Sequence, residues 1–288
     1  MVHHQIVDIT FELKEEHDFS WLSTYGEVFA VFDQQDSGNI SFGIQKGERK
    51  LFIKYAGAKT IHFKGNPEEA VARLKDCVPV YEDLAHPIVV NMVESFSVGE
   101  GFAVVFEWVE GEGLHPHWSF PPPHKFTDPC SPFYQFRMLS VEKRVSVMTK
   151  IIEFHTYVES KSYVAVDFYD GSLLYDFARD EVRICDIDYY QKRPFTNQMG
   201  RLYGSSRFMS PEEFMLHAPI DEVTNVFNMG ATAFVLLGRG RDFSNKKWEA
   251  GSALYEVAKK AVAMERGLRY QSVALLFEAW RRAEELPK

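Results

Sequence analysis

The chain of 288 residues is moderately acidic, with 32 Lys and Arg against 41 Asp and Glu and a formal net charge of −9. An apolar fraction of 45% and an aromatic fraction of 15% exclude a disordered polypeptide, and this length is enough for roughly two lobes. The acidity predicts no nucleic-acid partner.

Cysteine usage and hydropathy indicate the compartment. Cys77, Cys130 and Cys185 are far apart and form no Cys-x-x-Cys pair, so neither a disulfide framework nor a zinc site is expected. The most apolar stretch, residues 102–108, is too short for a transmembrane helix, and the N-terminus meets acidic residues early. We therefore expect a cytoplasmic protein without a signal peptide and without membrane contact.

The first third of the chain is predicted to form an antiparallel sheet with one helix. Strands are predicted at residues 28–32, 40–44, 51–55, 89–96 and 102–108. The turn sequence at 36–39 joins the first two strands as a hairpin. Asn66 followed by Pro67 marks a helix start, and Pro79 should bend or end that helix.

The remainder is predicted to be mainly helical. Residues 111–140 are rich in Pro and aromatic side chains, which leaves either an ordered insertion or a loose linker, and the many aromatics favour packing. A helix follows at 141–159. From Ser210 onward the chain reads as helical, apart from a loop near 238–244.

Five features follow one another in a fixed order: a Gly/Asn turn at 37–39, Lys54 at a strand end, Asp167, Asp186 and Ser210-Pro211-Glu212. This order resembles the eukaryotic-like serine/threonine protein kinase superfamily over about residues 25–285. The resemblance implies an α+β, bilobal fold, with a small antiparallel-sheet N-lobe at 1–109 and a larger helical C-lobe at 110–288. It also implies ATP as substrate, Mg²⁺ or Mn²⁺ as cofactor, and a protein Ser or Thr hydroxyl as acceptor.

The resemblance places phosphate contacts in the first third of the chain. Phe52-Ile53-Lys54 looks like the Val-Ala-Ile-Lys strand, so Lys54 would hold the α- and β-phosphates of ATP. Gly38, Asn39 and Ile40 would belong to the phosphate loop. An alternative takes Tyr25-Gly26-Glu27-Val28 as the end of that loop.

The resemblance places the adenine contacts in a hinge. Phe106-Glu107-Trp108-Val109 looks like this segment. The carbonyl of Glu107 and the N–H of Val109 would face the adenine edge, with Phe106 behind it.

The stretch from Tyr163 to Leu174 is similar to the catalytic loop of the superfamily. Asp167 falls at the base that orients the attacking hydroxyl and accepts its proton. Ser172 occupies the place of the magnesium-binding Asn, and Asp170 could compensate for the weaker hydroxyl ligand.

Residues 183–188 are similar to the strand that ends in Asp-Phe-Gly. Asp186 would bridge magnesium to the β- and γ-phosphates. Asp188 replaces the glycine and brings a second carboxylate near the metal, as in small-molecule kinases of the aminoglycoside and choline type.

Residues 204–213 look like the end of an activation segment and are the most specific string in the chain. Small-molecule kinases generally lack this segment, so the string favours a protein kinase. In protein kinases its Glu pairs with a distant Arg, and Arg269 stands where the partner of Glu212 should be.

Several supporting residues of the superfamily are replaced. Cys77 stands where the helix glutamate that pairs with the strand lysine is expected, and Asn225 replaces an anchoring Asp. Ala165 and Val166 replace the His and Arg of the catalytic loop, and Tyr169 replaces its Lys. Without that Arg, control by phosphorylation of the segment is not expected.

Three functions fit these residues. The first is a protein kinase, since Lys54, Asp167 and Asp186 supply the minimum set for phosphoryl transfer. The second is a pseudokinase that binds nucleotide and partners without turnover. The third is a small-molecule kinase whose acceptor site is built partly from residues 115–136.

Overall fold

The structure, a computed structural model, describes residues 1–238 and 243–286. The chain divides into two compact units, an N-terminal unit of residues 1–110 and a C-terminal unit of residues 111–288. It is a mixed α/β protein with several small antiparallel sheets. No helix among the described residues is both long and apolar enough to cross a bilayer.

The N-terminal unit contains one larger sheet and a separate hairpin. Its elements are β1 (Val2–Ile6), β2 (Ile9–Leu13), β3 (Glu27–Phe32), β4 (Asn39–Lys46), β5 (Arg49–Ala56), α1 (Pro67–Asp76), α2 (Val78–Asp83), β6 (Met92–Val98) and β7 (Gly101–Glu107). The larger sheet has the order β3-β4-β5-β7-β6, with every neighbouring pair antiparallel. Strands β1 and β2 pair with each other, and Leu13 of β2 also forms an isolated antiparallel bridge with Thr60.

Alternation along β4 divides the sheet into two faces. Ile40, Phe42 and Ile44 are fully buried in one hydrophobic cluster, which the β2 residues Phe11 and Leu13 join from the hairpin. Because successive side chains of a strand point to opposite faces, the residues between these three lie on the other face. The sequence did not lead us to predict the β1–β2 hairpin, although it closes this core.

Helix α1 begins where the sequence predicts it. The Asn66 side chain accepts a hydrogen bond from the Glu68 N–H at 3.2 Å, and Pro67 is the first helical residue. The predicted break near Pro79 is confirmed, but it falls at Cys77, where α1 ends and α2 begins. Pro79 itself lies in the first turn of α2, where its missing N–H removes no helical hydrogen bond.

The C-terminal unit is mainly helical, with short strands beside the loops. Its elements are β8 (Glu112–Gly113), α3 (His124–Thr127), α4 (Pro132–Met138), α5 (Val141–Ser160), β9 (Tyr163–Val164), β10 (Leu173–Asp176), β11 (Glu181–Ile184), β12 (Gln191–Lys192), β13 (Phe195–Thr196), β14 (Pro219–Ile220), α6 (Glu222–Leu237), α7 (Ser252–Ala261) and α8 (Val273–Glu284). Helix α6 is buried almost throughout, and α5, α7 and α8 pack around it. This arrangement forms the core of the unit.

The Pro- and aromatic-rich stretch at 111–140 is an ordered part of this unit. It contains α3 and α4 and buries Lys125, Phe133 and Phe136. The prediction that it packs is confirmed. The helix predicted at 141–159 is α5, whereas the loop predicted near 238–244 falls partly outside the described residues.

Candidate functional site

Lys54 occupies the central strand β5 of the N-terminal unit. It lies directly opposite Ser41 of β4 and Val104 of β7, so these three side chains share one face. Only 8% of Lys54 is exposed. The hydrophobic cluster with Phe42 and Ile53 lies on the opposite face. The sheet therefore holds a largely buried lysine side chain on the face away from its core.

The turn before β4 is fixed to helix α1. Gly38 has φ +85°, and a Cβ there would lie 2.7 Å from the Phe63 ring and 2.9 Å from Ala70. The Arg73 guanidinium donates to the Ser37 carbonyl at 2.6 Å. These contacts alone require glycine at position 38. This explanation for the glycine could not be read from the sequence.

The two residues after this turn face opposite ways. Asn39 lies on the Lys54 face, and its buried Oδ1 has no hydrogen-bond partner among the residues that the structure describes. Ile40 is fully buried in the hydrophobic cluster on the other face. Alternation along β4 turns the Ile40 side chain into the core, so the expected contact of Ile40 with a nucleotide stays a prediction for its backbone.

Aromatic side chains gather on the Lys54 face. Phe106 is buried 4.9 Å from the ring of Tyr81 and 6.4 Å from that of Phe52. Glu107 is exposed and its N–H donates to the Asn91 carbonyl at 2.9 Å, while Val109 is half-buried. Phe52 stands where the resembling motif has Ala. Aromatic faces can stack a planar base, so this group adds a binding surface that sequence reasoning missed.

The two aspartates of the C-terminal unit that we expected to react both adopt left-handed backbone conformations. The φ angle is +62° at Asp167 and +56° at Asp186. Asp is tolerated there better than most residues, yet such conformations are uncommon outside glycine and cluster at functional sites. Asp180 and Ser162 also have positive φ angles. A positive φ at Asp167 and Asp186 therefore indicates a functional site only together with the contacts around these two residues.

The charges of Asp167 and Asp186 act on the same two phenols. Burial raises the pKa of Tyr169, and the negative charges of Asp186, Asp167 and Asp170 raise it further. Burial likewise raises the pKa of Tyr190, to which Asp167, Cys185 and Asp186 add. The Cys185 N–H donates to the Ser172 carbonyl at 2.9 Å, which joins the strand end before Asp186 to the loop that carries Asp167.

Two asparagines of α6 hold the loop at 165–172. Asn225 Oδ1 accepts from the Ala165 N–H at 2.8 Å, and its Nδ2 donates to the Tyr163 carbonyl at 3.1 Å. Asn228 donates to the Phe168 carbonyl at 3.0 Å. Asn225, which replaces an anchoring Asp, thus still binds the loop backbone.

A buried histidine of α5 supports the same loop. His155 Nδ1 lies 2.8 Å from the Ile151 carbonyl and therefore carries the proton, so Nε2 accepts from the Tyr190 hydroxyl at 2.9 Å. The His155 ring packs 4.5 Å from that of Phe168. Burial lowers the pKa of His155 to about 4, which keeps it neutral. Sequence reasoning missed it, although a lone histidine among apolar α5 residues was a signal.

The residues expected to hold a divalent cation were Ser172, Asp186 and Asp188. Ser172 is fully buried, its carbonyl accepts from the Cys185 N–H at 2.9 Å, and its Oγ has no hydrogen-bond partner within the described chain. Asp186 is exposed and Asp188 half-buried. Residues 1–238 and 243–286 contain no cluster of three or more His, Cys, Asp and Glu side chains arranged for a metal. Mg²⁺ is commonly bound by one or two carboxylates together with substrate phosphates, so the orphaned Ser172 hydroxyl, on a residue hydrogen-bonded to the neighbour of Asp186, fits it.

Asp170, which could compensate for the serine, is already engaged by two cations. Its carboxylate is fully buried and accepts from both terminal nitrogens of Arg207, at 2.7 and 2.9 Å, and from Lys125 Nζ at 2.5 Å. These three hydrogen bonds use most of the acceptor capacity of a carboxylate. Asp170 therefore forms an ion pair inside the protein, and its role as a metal ligand stays a prediction.

The predicted pair between Glu212 and Arg269 is confirmed. Arg269 donates to the two carboxylate oxygens at 2.7 and 3.0 Å, and Arg266 adds a bond at 2.5 Å. Burial would raise the pKa of Glu212, but these guanidinium groups hold it below its ordinary value. The neighbouring Glu213 accepts from the Ser210 N–H and hydroxyl, and burial raises its pKa to about 7.

Comparison with known proteins shows a distant similarity to a kinase. No family model matches the chain. It is 23% identical over 202 residues to the serine/threonine-protein kinase TIO of Arabidopsis thaliana, a match that covers 69% of this chain and 14% of that protein. The chain therefore spans a small part of this relative's length. The comparison supports a distant, kinase-like relationship.

Proposed function

We propose that this chain has a kinase-like fold and is an ATP-dependent phosphotransferase that transfers the γ-phosphate to a protein hydroxyl. The observation that carries the proposal is the hydrogen bond from the Cys185 N–H to the Ser172 carbonyl, which joins the strand end before Asp186 to the loop that carries Asp167, with a left-handed backbone at both aspartates. The Glu212–Arg269 pair supports a protein acceptor, because the string 204–213 belongs to the protein-kinase pattern. The distant similarity to a serine/threonine kinase adds to this.

In this proposal the C-terminal unit carries the chemistry. Asp167 orients the acceptor hydroxyl and accepts its proton as the hydroxyl oxygen attacks the γ-phosphorus, while the bond from that phosphorus to the bridging oxygen of the β-phosphate breaks and ADP leaves. Asp186, Ser172 and Asp188 would hold a magnesium ion, which would neutralise charge on the phosphates. Asn225 keeps the backbone beside Asp167 in place.

The N-terminal unit binds nucleotide in this proposal. Lys54 supplies the positive charge of a largely buried side chain for the phosphates, and Asn39 offers an unpartnered amide oxygen on the same face. The proposed nucleotide contacts are Gly38, Asn39, Lys54, Phe106, Glu107 and Val109. The Ile40 side chain is left out because it lies in the core.

Nucleotide binding can be tested by thermal unfolding with ATP, with and without Mg²⁺. A ligand at a hundred times its dissociation constant stabilises a folded protein by about 2.7 kcal/mol, which shifts Tm by a few degrees at this size. We expect this shift for the wild type and for Asp8→Asn, an exposed carboxylate control. We expect the magnesium-dependent part to disappear in Asp186→Asn. An equal shift in all three proteins would refute the role of Asp186.

A second candidate is a nucleotide-binding scaffold without turnover. Cys77 is fully buried where the helix glutamate is expected, and Tyr169 replaces the loop lysine beside Asp167. Both changes remove charges that assist phosphoryl transfer. This candidate predicts the same ATP-dependent shift but no γ-phosphate transfer above that of Asp167→Asn.

A further inference from the structure

A buried ionic cluster joins three distant segments of the C-terminal unit. We call it the Asp170 cluster: Lys125 of α3, Asp170 of the loop at 165–172, Arg207 of the segment at 204–213, and His115. Arg207 and Lys125 make the three hydrogen bonds to Asp170 described above, and Lys125 Nζ also lies 2.6 Å from His115 Nδ1. The cluster therefore ties the insertion and the segment at 204–213 to the loop that carries Asp167.

The charges within the cluster are defined by its contacts. Burial alone would raise the pKa of Asp170, but the Arg207 hydrogen bonds and the Lys125 charge lower it below its ordinary value. Burial lowers the pKa of Lys125 to about 8, so it is still largely protonated at neutral pH. Burial and Lys125 lower the pKa of His115 to about 4, so it is neutral and accepts at Nδ1. One carboxylate thus pairs with two cations.

Such a cluster is a poor way to gain stability. Removing charges from water costs several kcal/mol per ion, and apolar residues of the same volume often stabilise a protein equally well. The cluster tolerates little change in geometry, because the two parallel hydrogen bonds of a guanidinium fix both the orientation of Arg207 and its distance from Asp170. The cluster is therefore suited to fixing one relative position of the two segments.

The segment that Arg207 holds lies directly on Asp167. Gly204 has φ +131°, and a Cβ there would lie 3.5 Å from the Asp167 Cα. The rings of Phe208 and Tyr169 are 6.3 Å apart. Displacement of residues 204–208 would therefore alter the surroundings of Asp167.

In kinases that are switched by phosphorylation, a phosphate on the segment is bound by arginine and orders it. In this chain the two charges have exchanged places. The positive charge, Arg207, lies on the segment, and the negative charge, the permanent carboxylate of Asp170, lies on the loop. Val166 stands where the phosphate-binding arginine of the resembling motif would be. A permanent ion pair makes a phosphate unnecessary for order.

We propose that Arg207 and Lys125 are positioning residues that act through Asp170 to hold the segment at 204–213 against Asp167 without phosphorylation of the chain. The catalytic part of this inference rests on the function proposed above. The structural part does not, because order of the segment can be measured without turnover.

The test measures amide hydrogen exchange of residues 197–209 in the full-length, phosphatase-treated protein. We expect slow exchange in the wild type and in Arg282→Met, whose arginine is exposed on α8. We expect exchange to be roughly tenfold faster or more in Arg207→Met and Lys125→Met. Arg207→Lys keeps the positive charge but loses the two parallel N–H donors of the guanidinium, so it should restore protection from hydrogen exchange only in part. If Arg207→Met does not fold, Arg207→Lys is compared with the wild type in its place.

Phosphotransfer by the same proteins supplies a second readout. We expect Arg207→Met to lower kcat by roughly tenfold or more and to change KM for ATP by less than about threefold, because Arg207 positions Asp167 and does not bind nucleotide. Unchanged exchange in both methionine variants would overturn the proposal. Fast exchange in the phosphatase-treated wild type would also overturn it. Slow exchange that is lost in Arg207→Met, in a protein without turnover, would support the ion-pair role and refute the proposed function.

Discussion

The guanidinium of Arg269 donates to both carboxylate oxygens of Glu212, and both side chains are almost completely buried. Arg269 also donates to the Ala263 carbonyl at 2.7 Å. The pair therefore connects the end of the segment at 204–213 to the turn between α7 and α8. It is also the point at which a prediction from sequence and the structure agree most closely.

Arg269→Ala should destabilise the C-terminal unit strongly, because it leaves the Glu212 carboxylate buried with only Arg266 as a charged partner. Loss of one member of a buried ion pair costs about 3–5 kcal/mol. The free energy of unfolding in urea measures this loss. Arg282→Ala, which removes an exposed pair with Glu278, should cost less than about 1 kcal/mol. Equal effects of the two substitutions would contradict the assignment.

Asn225→Leu should release the loop at 165–172 from α6. The substitution leaves the Ala165 N–H unsatisfied in the interior, at about 1–3 kcal/mol, and removes the hydrogen bond to the Tyr163 carbonyl. Asn225→Asp keeps the acceptor for Ala165 and should lose less phosphotransfer activity than the leucine variant. The same loss of activity in both variants would show that the hydrogen bond to Ala165 does not hold the loop.

The unit should lose stability in acid through His155. Its pKa is about 4 in the folded protein against 6.5 ordinarily, so the unfolded chain binds more protons between these values. Stability from this group is complete above about pH 6.5 and falls as the pH drops towards 4, by about 3 kcal/mol at most. His115 acts in the same direction.

Glu213 opposes this trend, since its raised pKa of about 7 means that the folded state binds more protons and stability falls as the pH rises from 4.5 to 7. The informative measurement is therefore the difference between the wild type and His155→Gln, which lacks the titrating group. We expect the slope of unfolding free energy against pH between 4 and 6.5 to be smaller in the variant. Identical slopes would mean that His155 is not buried in the neutral form.

Local pattern was enough to predict much of the secondary structure. The Asn66–Pro67 start of α1 and the periodicity of α5 depend on neighbouring residues, and both appear where predicted. The hairpin β1–β2 could also have been found, because Ile9, Phe11 and Leu13 alternate along β2. Its short strands gave a weak signal until the core that they cover was known.

The partners of Asp170 could not be predicted. Lys125 and Arg207 lie 45 and 37 residues away along the chain, and no local period relates them. The face to which the Ile40 side chain points could not be predicted either, since a shift of one residue along a strand turns every side chain to the other face. The pairing of β4 with β5 decides whether Asn39 or Ile40 faces Lys54, and this pairing cannot be read from the sequence.

The most direct test of the central proposal is transfer of labelled γ-phosphate from ATP to a dephosphorylated casein acceptor. We expect magnesium-dependent transfer by the wild type and by Asp8→Asn. Asp167→Asn should lower the rate by about a hundredfold or more, because the acceptor hydroxyl loses the group that orients it and takes its proton. No transfer by the wild type, or undiminished transfer by Asp167→Asn, would contradict the account.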